Sequence, residues 1–209
     1  MLRSRFLLSL VVALSLSTLA SANSATVNMT FLQPGNNVSG DYYTYPYYFS
    51  INGGKATPLM CDSFTNHISA GESWNANVSG LLSGKGLFGK DIRDYKAAGI
   101  IFLGVVNGTI DAKVGNWAVW NLFAKGVTPD AAVLALDQSA LLLAQHAPSS
   151  EFKGLVLYTP VGGSPGHGPQ EFIGYRGTAI STPEPASLLL LSTGLLGIAG
   201  LVRRKLRRG

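Results

Sequence analysis

Seventeen uncharged residues, Ala186 to Val202, lie between a pair of prolines and a cluster of five cations, and this arrangement limits what the rest of the chain can be. Pro183 and Pro185 each lack an N–H and restrict the residue before them, so Thr182-Pro-Glu-Pro-Ala-Ser187 reads as a short rigid turn. The apolar run behind it can close its own backbone hydrogen bonds as a helix, as a bilayer core demands. Arg203, Arg204, Lys205, Arg207 and Arg208 follow directly, a cluster that the positive-inside rule keeps on the cytoplasmic side. Seventeen residues rise about 25 Å at ~1.5 Å each, short of a hydrocarbon core of about 30 Å. Such a helix, over 186–202, spans only marginally and suits a temporary hold.

The order Pro-Glu-Pro, apolar helix, basic cluster resembles the PEP-CTERM sorting signal of Gram-negative bacteria, and the resemblance covers residues 183–209. It implies recognition by an exosortase, a membrane-embedded cysteine transpeptidase, through Pro183, Glu184 and Pro185. Cleavage near the motif would release or re-anchor the outer part. An ordinary C-terminal membrane anchor after a proline turn is the plainer account of the same residues.

The other end agrees. Arg3 and Arg5 form a basic stretch, Phe6 to Leu19 is apolar, and Ala20-Ser21-Ala22 has the small residues of a cleavage site, so residues 1–22 read as a signal peptide. The expected layout is therefore an extracytoplasmic domain over 23–177, a linker over 178–182 and the sorting tail over 183–209. The chain is exported, held transiently in the inner membrane, then placed at the cell surface or outside it.

The formal charge of +5 would suggest an anionic partner, but it belongs to the two targeting segments. Residues 23–182 hold nine Lys/Arg against ten Asp/Glu, a net of −1. That removes the basic footprint nucleic-acid binding requires. Cys61 is the sole cysteine, so no intrachain disulfide can form and a packed core must supply stability.

Within the domain, residues 26–33 alternate as a strand, and Pro34-Gly-Asn-Asn37 reads as a turn. Tyr42 to Ile51 carries six aromatics around Pro46 and reads as an edge strand, since proline cannot donate to a ladder. Asn52-Gly53-Gly54 is a hairpin signal, with a returning strand over 56–62 and a further strand over 72–79. From Lys90 the period becomes helical, predicting helices over about 92–105, 114–124 and 128–145, the last starting at Thr128-Pro129. Strands over 154–159 and 170–175 close the domain. The fold class is α+β: one domain with a mainly antiparallel sheet and about three helices.

Tests for chemistry mostly return structure. Gly84-Lys-Gly86-Leu-Phe-Gly89 matches a dinucleotide fingerprint, but its lead-in is Ser- and Gly-rich, so a flexible loop is expected. Gly162-Gly-Ser164-Pro-Gly166 matches a nucleophile elbow, yet Pro165 lacks the N–H that the oxyanion hole would use. His67, His146 and His167 show no ligand spacing; no metal and no cofactor is expected. Asp91 and Asp94 share a helix face beside Lys90 and Arg93, which reads as a solvated surface. The four Asn-x-Ser/Thr sequons at Asn28, Asn37, Asn77 and Asn107 mark surface turns.

One constellation is less easily dismissed. Met60-Cys61-Asp62 follows an aromatic strand, and Asn116-Trp-Ala-Val-Trp120 opens a helix further on. Over residues 56–124 this resembles thioester-forming surface-adhesion domains, in which a strand Cys bonds a Gln at the start of a Q-x-A-[IV]-W helix. The resemblance implies Cys61 as nucleophile, with Asn116 standing where that family has Gln, one methylene shorter. The alternative is that Cys61 is a small buried hydrophobe and that Trp117 and Trp120 pack the core.

The functional expectation is a non-enzymatic structural or adhesive protein, sorted by an exosortase and linked to exopolysaccharide. The rivals are a covalent adhesin through Cys61 and Asn116, and a secreted glycan hydrolase using a carboxylate pair. The tyrosines of 42–48 offer rings for sugar stacking, or for cross-strand packing.

Overall fold

Alternation along the strands builds the sheet. The computed structural model describes residues 25–128 and 130–176, so the signal segment, the sorting tail and Pro129 lie outside the described residues. In β1 (Ala25–Pro34), Val27, Met29 and Phe31 are buried while Thr26 and Asn28 face water. β4 (Tyr47–Ile51) repeats the pattern with Tyr47, Phe49 and Ile51 inside. Side chains of a strand point alternately to the two faces, so each of these strands supplies one apolar row. With β5 (Thr57–Cys61), β6 (Ser73–Gly80), β7 (Leu155–Pro160) and β8 (Phe172–Tyr175) they form a closed antiparallel barrel in the order β1-β4-β5-β8-β7-β6.

Closure corrects one sequence expectation. The aromatic stretch from Tyr42 to Ile51 is not a single edge strand. It divides at the cis Tyr45–Pro46 bond into β3 (Tyr42–Tyr43), which pairs with β2 (Val38–Ser39) in a separate hairpin, and β4, which is flanked on both sides by β1 and β5. Pro46 sits between the two strands, where no ladder needs its missing N–H.

β7 is buried at every position, and β5 almost so, because both faces are covered. Leu59, Cys61, Val156, Tyr158 and Phe172 pack inside the barrel with Met29, Phe49 and Trp120. Met60, Leu155, Leu157 and Ile173 point the other way, into a second core shared with the helices. One wall of the barrel thus divides two apolar layers.

Three helices cover that wall: α1 (Ile92–Val106), α2 (Ala112–Phe123) and α3 (Ala131–His146). Each begins on an aspartate whose carboxylate accepts from first-turn backbone N–H groups. Asp91 takes Asp94 N, Asp111 takes Lys113 N and Val114 N, and Asp130 takes Ala132 N and Val133 N. The third cap moves the expected start of α3 from Thr128 to Asp130. A Cβ on Gly115 would lie 2.4 Å from Val105 Cγ2, so α1 and α2 approach each other over a residue that must stay small.

The glycine-rich segment before α1 has a structural explanation. Gly84 and Gly89 sit at positive φ, where glycine alone is unstrained. A Cβ on Gly86 would stand 2.1 Å from the Tyr95 hydroxyl and 2.8 Å from Leu157 Cδ1. Gly86→Ala should therefore push Tyr95 off its seat and cost about 1–3 kcal/mol, the usual scale of overpacking. Urea denaturation of the domain, read by tryptophan fluorescence, measures that loss.

Candidate functional site

The two residues singled out as a thioester-like pair do meet. Cys61 ends β5 and Asn116 lies in the first turns of α2, and both are fully buried. Asn116 Nδ2 donates to the Cys61 carbonyl at 2.9 Å, while its Oδ1 accepts from Tyr45 N at 2.8 Å. Its amide thereby ties three segments: the end of β5, the start of α2 and the chain leading into β4. The Cys61 Sγ points instead to the carbonyl of Ser63, at 3.6 Å.

The surroundings hold that sulfur as a thiol. Burial pushes the Cys61 pKa up to about 12, with the neighbouring Asp62 adding to the rise and contacts from Trp120 and Ser63 opposing it. A thiolate is the nucleophilic form, and at neutral pH very little is present in this pocket.

Behind Cys61 lies a group that sequence reasoning missed. Asp62 and Glu171 are both fully buried, where β5 ends and β8 begins. Glu171 accepts from Tyr95 Oη at 2.7 Å, from Leu87 N at 2.8 Å and from Thr159 Oγ1. Both Asp62 oxygens are enclosed without a donor of their own. Two bare carboxylates side by side in an apolar setting would repel, so one must carry a proton. Asp62 has no hydrogen-bond donor to favour its charge, and burial followed by the charge of Glu171 raises its pKa well above the carboxylate range. Asp62 is therefore the partner held in its neutral, protonated form. Nothing in the local sequence announces this: Glu171 is joined to Leu87, Tyr95 and Thr159 only by the fold.

Two other sequence motifs resolve into scaffolding. Asn66, buried, gathers the loop around Ser164 by donating to the carbonyls of Ser164, His167, Gly168 and Pro169 and accepting from Gly166 N. The elbow-like Gly-x-Ser-x-Gly is thus a clamped loop. Asp94 is buried, not solvated as expected, and ion-pairs with Arg93 at 3.4 Å. It borders a hollow of about 270 Å³ with Asp137, whose pKa burial pushes up to about 6 against a hydrogen bond from Asn121.

The open feature is a cleft of about 360 Å³ beside the β2–β3 hairpin. Phe31, Tyr42, Tyr43, Tyr47, Phe64 and Trp120 line it, with Asp41, His67 and Gln170 among the polar groups. Tyr47 and Trp120 also belong to the barrel core that holds Cys61.

Residues 181–205 match the family described as the PEP-CTERM protein-sorting motif. The chain carries a PEP-CTERM tail. The PEP-CTERM motif implies processing by an exosortase and sorting of an exported chain to the cell surface. Pro183, Glu184, Pro185 and the cations Arg203, Arg204 and Lys205 fall inside the match, while Arg207 and Arg208 lie just past it. No curated protein matches the chain significantly. Among solved structures, the chain is similar to the N-terminal thioester domain of surface protein from Clostridium perfringens. That likeness has 17% identity and a TM-score of 0.43, covering 72% of this chain and 98% of that one. Among the described residues no helix is long and apolar enough to cross a membrane.

The acid pair gives the domain a pH signature. A carboxyl whose folded pKa lies above its unfolded value, about 3.9 for Asp, stabilises the fold at acid pH and loses that contribution as pH rises through the folded value. Asp62, Glu171 and Asp137 all act in this direction. Thermal midpoints should fall from about pH 5 toward pH 8. Asp62→Asn, which removes the titrating carboxyl and keeps its shape, should flatten that slope in a pH series of melts. Asn116→Ala should cost about 1–3 kcal/mol for each backbone group it strands, at Cys61 and Tyr45, in the same assay.

Proposed function

We propose that this chain is a non-enzymatic surface or matrix protein, delivered by its exosortase tail and acting there as a structural or adhesive module in a polysaccharide-rich envelope. One observation carries the domain half of this reading. The Cys61 thiol, the Asp62 and Glu171 carboxyls and the Asn116 amide are sealed in the core, whereas the open cleft presents aromatic rings. Cys61 is a buried thiol, Asp62 and Glu171 are withdrawn from water, and Asn116 is held by two backbone partners. An adhesive surface needs none of them exposed. It needs a rigid face, which the barrel and its helix layer supply.

The delivery half is tested on the tail. Glu184→Ala should leave the uncleaved chain in the inner-membrane fraction while the parent chain is released, as read by immunoblot of fractionated cells. Normal release of the variant would remove exosortase recognition through Glu184.

A second reading keeps the Cys61–Asn116 pair as a covalent adhesin, favoured by the placement of the Asn116 amide directly against the Cys61 backbone. Attack of the sulfur on the Asn116 side-chain carbonyl would expel ammonia and leave a thioester. The raised pKa of the thiol and the two backbone bonds of the amide weigh against it. Intact mass decides: the purified protein should keep its full mass, and a species lighter by one ammonia that Cys61→Ala abolishes would establish the bond.

A further inference from the structure

We infer that the cleft beside the β2–β3 hairpin is a binding site for a neutral pyranose within a glycan chain, with Tyr42 and Tyr43 as the stacking surfaces and Asp41 as a hydroxyl acceptor. This rests on the reading of the domain as a surface module and adds to it the site and the ligand class.

The rings come first. Tyr42 and Tyr43 are 41% and 51% exposed on a two-stranded hairpin outside the barrel, so barrel packing does not account for their position. Tyr42 is nevertheless braced. Phe64 lies 5.2 Å from it, centroid to centroid, and Trp117 and Trp120 meet it edge-on at 5.4 and 6.3 Å. A ring fixed this way loses little conformational freedom when a ligand stacks on it. The aliphatic C–H face of a pyranose is the complement of such a ring, which offers apolar area with a polar tip.

Polar groups at the cleft complete the match. Among the described residues no hydrogen bond or ion pair occupies the Tyr42 and Tyr43 hydroxyls, the Asp41 carboxylate or the His67 ring. Apolar faces ringed by free donors and acceptors suit a molecule with an apolar face and a rim of hydroxyls. A lipid tail would leave those polar groups without partners. The volume, about 360 Å³, lies at the small end of ligand pockets, enough for one sugar residue with its neighbours running out of the open ends. Asp41 also sets a sign. A carboxylate accepts from vicinal hydroxyls and repels a uronic acid, so neutral polymers should be preferred.

The test uses the full-length chain in detergent, with affinity gels holding soluble neutral polysaccharides (a β-glucan, a mannan, a galactan, a xylan) and polygalacturonate. At least one neutral polymer should retard the protein, and polygalacturonate should not. Tyr43→Ala should weaken that retention about 3- to 10-fold, the scale of one aromatic contact, and Tyr43→Phe should weaken it less. Asp41→Asn should narrow the gap between neutral and acidic polymers. Because Trp117 and Trp120 touch Tyr42, a short oligosaccharide of the retained polymer should shift tryptophan fluorescence saturably, which reports binding even if a variant folds poorly. Retention of no neutral polymer, or unchanged retention by Tyr43→Ala, overturns the site. If deleting the gene alters the matrix while Tyr43→Ala in the cell does not, the cleft assignment falls and the surface role stands. If deletion changes nothing in the matrix, the surface role itself falls.

Discussion

The buried Glu171 carboxylate sits at the seam on which the arrangement of barrel and helices depends. Three parts of the chain donate to the Glu171 carboxylate, Tyr95 from α1, Leu87 N from the glycine-rich loop and Thr159 from β7, and Asp62 lies beside it at the end of β5. A carboxylate withdrawn from water is expensive unless every lone pair is met, so the site tolerates only a docking of helices on barrel that brings all four together. Gly86 belongs to the same junction, since only a missing Cβ lets Tyr95 reach across to the acid. The network's value lies more in selecting one arrangement than in adding stability, because apolar residues of the same shape would avoid the desolvation altogether.

That desolvation also governs the chemistry of Cys61. The apolar packing that forces Asp62 to keep its proton also favours the neutral thiol, and burial is the first cause in both cases. The Asn116 amide is fixed by two backbone partners in the same layer. Reactive residue types have gathered at one place, but the medium around them suppresses ionisation and leaves their hydrogen-bonding capacity to structure.

Much of this was legible in the sequence, for identifiable reasons. The helices announced themselves through apolar periodicity, and the structure adds the caps Asp91, Asp111 and Asp130. The strands showed through alternation. Their closure did not, because a period of two fixes which face is apolar and says nothing about which strand lies next to which. The split of the aromatic stretch at Pro46 is hidden for a related reason: Tyr42 and Tyr47 are the same residue type, yet one is exposed and the other is buried in the barrel core. Cys61 and Asn116 were paired from their local motifs. Glu171 carries no motif, and its partners stand 12, 76 and 84 positions away, so only the fold could assemble it.

The hairpin is where the fold does something its own closure does not require. β1 and β4 are antiparallel neighbours in the barrel, and such neighbours can be joined by a two-residue turn. The chain instead runs through residues 35–46, which form β2 and β3 and are stitched back by Asn37 Nδ2 to the Tyr45 carbonyl and Gly35 N to the Pro46 carbonyl. Ordering those residues costs backbone entropy, and displaying Tyr42 and Tyr43 forgoes the gain from burying them. Barrel packing accounts for Tyr47 and Phe49 but not for the excursion before them. An excursion that is ordered, aromatic and braced against two tryptophans is what a surface for holding a ligand requires, and the net charge of −1 over residues 23–182 leaves that ligand free to be neutral.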